Sequence, residues 1–378
     1  MIHVNRFLAF DYFMAAMLSI TAPMFAAVAP DEHSPVIESV SWDFDHLVRL
    51  AHGSDLWPTT WVADDNVYGG WGDGGGFDGD SDYVGRVSLG FARIEGMPPR
   101  VKGKNVWGRT AGGYALHEAT FPGKPVSMLA VDGKLYAWVS SFYNLHDRPN
   151  PKIPEYRLAV SFDSGASWRQ SEWKITEAAG AVYLNSFLNF GRDYAGGPDR
   201  YVYMYGGIGG RAEVLLARVP RARIEDLAAC EYFAGQRRGE PTWTTRPGEA
   251  VPVLRLPRPP RAQSILFSVV YNAPLGRYLA TWSRDDTVGK FVLSDAPQPW
   301  GPWTTAAEYD NWGGFGDREA LLWSLPTKWI SPDGRMLWCV FSAGRLRPKD
   351  GLLDSFNLVK LSLRLNSDDA RRSTGDRR

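Results

Sequence analysis

Trp57-Pro58-Thr59-Thr60-Trp61-Val62 runs into Ala63-Asp64-Asp65-Asn66 and then Val67-Tyr68-Gly69-Gly70-Trp71. A short β-rich run, a tight polar turn and a second run rich in aromatics read as a hairpin. The same order recurs four times. Val126–Val131 turns at Asp132-Gly133-Lys134 into Leu135–Val139, and Leu184–Phe190 resumes at Tyr201–Tyr205. Ser268–Tyr271 turns through Pro274-Leu275-Gly276 into Arg277–Trp282, and Pro326–Ile330 turns at Asp333-Gly334 into Met336–Phe341. Anchored on Trp61, Leu129, Phe187, Tyr271 and Trp329, the steps are 68, 58, 84 and 58 residues. Common propeller repeats are roughly 40 to 50 residues, so these units have room for four strands and long loops.

The expected fold is therefore all-β: a five-bladed β-propeller with four-stranded blades, whose radial sheets keep each edge short. Phe356–Leu363 is the last clear strand, and Val36–Phe44 is expected to close the ring from the N-terminal side. Arg221–Phe233 is the one stretch with a helical pattern. Residues 30–365 form a single domain, and 366–378 read as a disordered polar tail. Residues 1–29 read as a cleaved export signal, with Arg6, an apolar run from Phe13 and a small-residue end at Ala27-Val28-Ala29. Asp11 and Pro30 fit that pattern poorly, and a membrane anchor is the alternative. The expected location is secreted or periplasmic, and the processed chain is not expected to span a membrane.

The chain has 378 residues and 42 charges of each sign, which gives no basis for nucleic-acid binding. Cys230 and Cys339 lie far apart in sequence, and whether they pair is open, with two buried thiols slightly favoured. A monomer is expected.

Two outer hairpins carry recognisable motifs. Ser161-Phe162-Asp163-Ser164-Gly165-Ala166-Ser167-Trp168 matches the S-x-D-x-G-x-x-W Asp-box of sialidase-like propellers, where the Asp shapes a turn and does no chemistry. Ser294-Asp295-Ala296-Pro297 with Trp300-Gly301-Pro302-Trp303 resembles a hairpin of five-bladed glycosidases. Further stretches extend the likeness: Trp57-Pro58-x-Thr60-Trp61 with Gly72-Asp73-Gly74; Phe187-Leu188-Asn189-Phe190-Gly191 with Asp193-Tyr194-Ala195-Gly196; Tyr271–Tyr278; and Leu325–Trp329. Together they resemble a bacterial and fungal family of exported proteins long classed as a domain of unknown function, over roughly residues 50 to 363. That family is similar to propeller glycoside hydrolases, and some relatives act as endo-D-arabinanases. The resemblance implies carbohydrate chemistry on a polysaccharide or oligosaccharide. Asn189, Tyr271 and Lys328, which lie in its motifs, are the substrate contacts it implies.

Glycoside hydrolysis ordinarily uses two carboxyl groups flanking the scissile bond. Asp55 precedes the first inner strand and Asp73 follows the next, so a hairpin about Asp64-Asp65-Asn66 returns both to one end. Alternatively, Asp55 caps a turn and Asp73 orders the glycine loop. Glu319 precedes the fifth unit and is the third candidate acid, with Arg318 as a contact to substrate; a salt-bridged surface loop is the bland reading. Trp57, Trp61, Trp71 and Trp312 are candidate sugar-stacking rings, although most Trp side chains should pack between blades.

No cofactor is expected. Asp78-x-Asp80-x-Asp82 imitates the start of a calcium loop, but Tyr83 and Leu89 occupy the positions where an EF-hand needs Gly and Glu. Only an ad hoc structural Ca²⁺ site stays open there. Two other functions compete with the hydrolase: a non-catalytic glycan-binding propeller, and a polysaccharide lyase using Tyr143 or His146.

Overall fold

The computed structural model describes residues 32–77, 87–108, 121–141, 151–259, 267–284, 289–314, 320–343 and 354–366. After β1 (Ile37–Leu50), four consecutive strands form an antiparallel meander: β2 (Asp55–Trp61), β3 (Val67–Gly72), β4 (Gly90–Met97) and β5 (Arg100–Trp107). The second sheet holds β6 (Lys124–Val131), β7 (Lys134–Ser140) and β8 (Glu155–Ser161), edged by β9 (Arg169–Gln170) and β10 (Ile175–Thr176). The third group is β11 (Val182–Asn189), β12 (Tyr201–Ile208), β13 (Glu213–Pro220), β14 (Glu231–Arg237), β15 (Glu240–Thr244) and β16 (Leu254–Arg255). The fourth is β17 (Ser268–Asn272), β18 (Arg277–Ser283), β19 (Phe291–Ala296) and β20 (Thr304–Glu308). The last is β21 (Ala320–Ser324), β22 (Met336–Ala343) and β23 (Phe356–Leu365), and its outer partner is β1. Along that edge Asp43 stands opposite Lys360, whose ammonium lies 2.8 Å from the carboxylate.

This all-β architecture is a β-propeller. Its innermost strands β2, β6, β11, β17 and β21 are neighbours in that order, and β21 comes back to β2. β11 and β17 pair in parallel through Leu188 and Val269. Buried on both faces, inner strands such as β6 and β11 lack the alternating pattern of a half-exposed sheet. β5, on an outer edge, carries the expected mixture of exposed and buried positions. Four of the five inner strands break register near their start, at Leu56/Thr59, Pro125/Ser127, Leu184/Ser186 and Leu321/Ser324. Such bulges bend a strand, and here they sit where the strands crowd the axis.

Large rings fill the gaps between sheets. Trp168 stacks on Phe91 at 3.9 Å, Trp138 on Phe187 at 5.9 Å, and Trp57 meets Phe356 edge-on at 5.1 Å. The Ser161–Trp168 hairpin is held by its own side chains. Asp163 accepts hydrogen bonds from the Ser167 backbone (2.9 Å) and the Ser161 hydroxyl (2.8 Å), and Trp168 Nε1 donates to Gly165 (3.0 Å). Arg277 and Asp295 form a buried pair in the fourth sheet, with Arg277 Nε 2.7 Å from the carboxylate and Thr304 donating to its other oxygen.

Two local expectations are corrected. Arg221–Phe233 is not a helix but two 3₁₀ turns, Arg221–Arg223 and Leu227–Ala229, followed by β14. Asp226 takes the Ala228 N–H (3.0 Å) and restarts the chain as a capped turn, which ends any continuous helix. Pro326–Ile330 is not the fifth inner strand. β21 is, while Thr327–Trp329 is a 3₁₀ turn in which the Trp329 N–H donates to Pro326 at 3.0 Å. Cys230 and Cys339 are both buried free thiols.

Candidate active site

The site starts from the β2–β3 hairpin. Asn66 N–H donates to Asp64 Oδ1 (3.0 Å) to close the turn, and the register then sets Asp55 opposite Gly72. Asp73, the next residue, therefore stands at the same end as Asp55. The chain around them is pinned. Gly53 N–H donates to Asp354 (2.5 Å), and Ser54 Oγ accepts the Gly76 N–H (2.8 Å). Asn105 holds the glycine loop from the other side, accepting from Phe77 N–H (2.9 Å) and donating to Gly75 (2.7 Å). Asp73 itself adopts φ 53°, the left-handed region, which Asp tolerates better than most residues.

The third member is Lys124, at the head of β6. Its ammonium forms an ion pair with Asp73, and both side chains are almost wholly buried, 2% and 4% exposed. A Cβ placed on Gly72 would lie 2.8 Å from Asp55 Oδ1 and 2.9 Å from Lys124 Cδ. Asp55, Asp73 and Lys124 thus converge around one glycine that has no side chain to separate them. Asp55 is the more exposed of the two acids. Deeper along the axis the wall turns apolar, with Leu56, Pro58, Pro125, Val126, Phe267 and Leu322 around a small recess.

Buried charges are tolerated when paired and hydrogen-bonded. The pair keeps a carboxylate and an ammonium fixed beside Asp55 in a poorly hydrated setting, where their fields act strongly. A further acid, Glu177, lies between β10 and β11 and accepts a hydrogen bond from the buried Tyr156 hydroxyl. Burial pushes its carboxyl above the ordinary glutamate range.

The remaining predicted residues are divided. Trp57, Trp71 and Trp312 are fully buried among other rings and offer no face to solvent. Asn189 is also buried; it accepts from Thr60 (2.8 Å) and donates to Met128 (3.1 Å), which ties β2, β6 and β11 together toward the Trp61 end. Trp61 and Tyr271 lie at the far ends of β2 and β17 and line a cavity of about 260 Å³ there. Lys328 sits beside that cavity, 3.3 Å from Asp65 Oδ2. At about 3.3 Å per strand residue, Trp61 is roughly 20 Å from Asp55. Arg318 and Glu319 lie outside the described residues, as do the export signal at 1–29, Asp78, Asp80, Asp82, Tyr143 and His146.

Little in the sequence marks Lys124. Its only signal is a lone charge opening an apolar run, Lys124-Pro125-Val126, in the position that Asp55 occupies before Leu56-Trp57-Pro58. Among the described residues, no group of three His, Cys, Asp or Glu side chains is placed to hold a metal ion. No helix among them is long and apolar enough to cross a membrane.

Comparison with solved structures places the chain among low-identity likenesses. A candidate hydrolase from Bacteroides ovatus is 12% identical with a TM-score of 0.52, over 82% of this chain and 87% of that one. A GH43_1 enzyme from Xanthomonas citri is 15% identical with a TM-score of 0.48, over 84% and 89%. A sialidase from Trypanosoma rangeli is 10% identical with a TM-score of 0.42, over 82% and 55%. At these identities the likeness concerns the fold alone. No curated protein matches the chain. A family model matches residues 92–322, more than half of the sequence, and the chain belongs to the family described as Domain of unknown function (DUF4185).

Proposed function

We propose that this chain is an exported, monomeric glycoside hydrolase built on a five-bladed propeller, cleaving a polysaccharide at the heads of the inner strands. The observation that carries the reading is the convergence of Asp55, Asp73 and Lys124 about Gly72. Two acids of unequal exposure, one of them paired to a buried ammonium, suit a reaction that uses two carboxyl groups in different roles. Asp55 is the group that meets the substrate as base or nucleophile. Asp73, ion-paired with Lys124, positions it. Glu319, the residue that precedes β21 in sequence, is the assisting acid, because β21 adjoins β2.

Five blades are supported by the cyclic order of β2, β6, β11, β17 and β21, although the parallel β11–β17 pairing joins the third and fourth groups into one ten-stranded sheet. Closure by the N-terminal strand is supported by the β1–β23 pairing. Residues 1–29 supply the export signal. Arabinan is the first polymer to test, because the family resemblance reaches endo-D-arabinanases.

The chemistry is tested by the products. Purified protein incubated with arabinan, arabinogalactan, xylan and uronate-bearing gums is expected to release reducing ends without new near-ultraviolet absorbance. Absorbance from an unsaturated uronate would replace hydrolysis with elimination, and binding without any product would leave a glycan-binding propeller.

A further inference from the structure

The far end of the axis carries a second cavity that the hydrolase reading does not use. About 260 Å³ in volume, it is walled by Trp61, Phe190 and Tyr271, with Pro274, Thr327 and Ser331 completing the rim. That is slightly below the usual range for small-molecule sites, about 300–1,000 Å³, so it suits a ligand of one ring. Three features suggest a prepared site. Trp61 is fixed in place, because its Nε1 donates to Asp65 Oδ1 at 3.0 Å. Asp65 also holds Lys328, and the Arg192 guanidinium donates to the Ala63 carbonyl at 3.0 Å. Thr327 is 7% exposed, and among the described residues its hydroxyl has no hydrogen-bond partner.

A buried hydroxyl without a partner is costly in a folded protein, and a ligand hydroxyl would relieve that cost. The lining contains no charged side chain, and the cations beside it are already engaged. Among the described residues that line it, neither an anion nor a cation would meet an opposite charge. A neutral ring with apolar C–H faces and hydroxyl edges fits both the aromatic walls and Thr327. We infer that this cavity is a second, non-catalytic binding site for a single neutral sugar residue, at the opposite end of the propeller axis from the acids. It does not depend on the hydrolase reading, and either can fail alone.

The test titrates the full chain with methyl β-D-xyloside, methyl α-L-arabinofuranoside and D-galactose, with tryptophan fluorescence and calorimetry as readouts. At least one sugar should bind saturably. Binding should weaken at least tenfold in Trp61→Ala and in Thr327→Val, and be unchanged in Asp55→Asn. Thr327→Val should also keep or raise the unfolding midpoint, since it removes an unsatisfied hydroxyl, and this separates lost recognition from lost fold. No saturable binding of any of the three sugars overturns the inference. So does binding that survives Trp61→Ala and Thr327→Val but vanishes in Asp55→Asn, or tighter binding of D-glucuronate than of the neutral sugars.

Discussion

Lys124 and Asp73 form an ion pair that spans two sheets, from the head of β6 to the end of β3, with both side chains almost completely removed from water. No exposed pair would tie the first and second sheets so firmly. The pair and Asp55 crowd the same glycine: a Cβ on Gly72 would lie 2.8 Å from Asp55 Oδ1 and 2.9 Å from Lys124 Cδ.

Lys124→Met removes one partner and leaves the Asp73 carboxylate buried without its counter-charge. Loss of one member of a buried pair costs about 3–5 kcal/mol. Urea unfolding should show a drop of that size. A change below about 1 kcal/mol would mean that the pair is hydrated.

Gly72→Ala probes the same convergence without touching a charge. The new methyl would meet Asp55 Oδ1 at 2.8 Å, Lys124 Cδ at 2.9 Å and Leu56 Cδ1 at 3.0 Å. Overpacking of this kind costs about 1–3 kcal/mol, and the displaced Asp55 should lower glycan turnover more than it lowers stability. Equal losses in both would indicate a purely structural glycine.

Glu177 gives a pH signature. Its carboxyl is raised by burial, so the folded protein holds the proton more tightly than the unfolded chain does. The stability it contributes is complete below the ordinary glutamate range and is lost as pH rises through the raised value. Compared with Glu177→Gln, which keeps a neutral side chain, the wild type should lose unfolding free energy across that interval. Parallel stability curves for the two proteins would contradict the shift.

The hairpins and the return of Asp55 and Asp73 to one end were legible in the sequence, because a strand, a turn and a strand leave the chain little choice. Other features depend on packing between sheets, which no local pattern records. Trp57 and Trp61 look alike in sequence, yet one is sealed against Trp71 and Phe356 and the other borders a cavity. Lys124 reads as an ordinary surface lysine until the first sheet is laid against it. The fifth inner strand was displaced because Pro326 and Trp329 have strand-like neighbours but close a 3₁₀ turn.

Asp55 is the residue proposed to do chemistry on a glycan. The direct measurement is reducing-sugar release from arabinan and the other polymers by wild type and Asp55→Asn, with matched circular dichroism spectra and unfolding midpoints. The predicted result is release by wild type and a fall of about 10²–10⁴ in the variant. Equal release by both folded proteins would remove Asp55 from the mechanism and contradict the account.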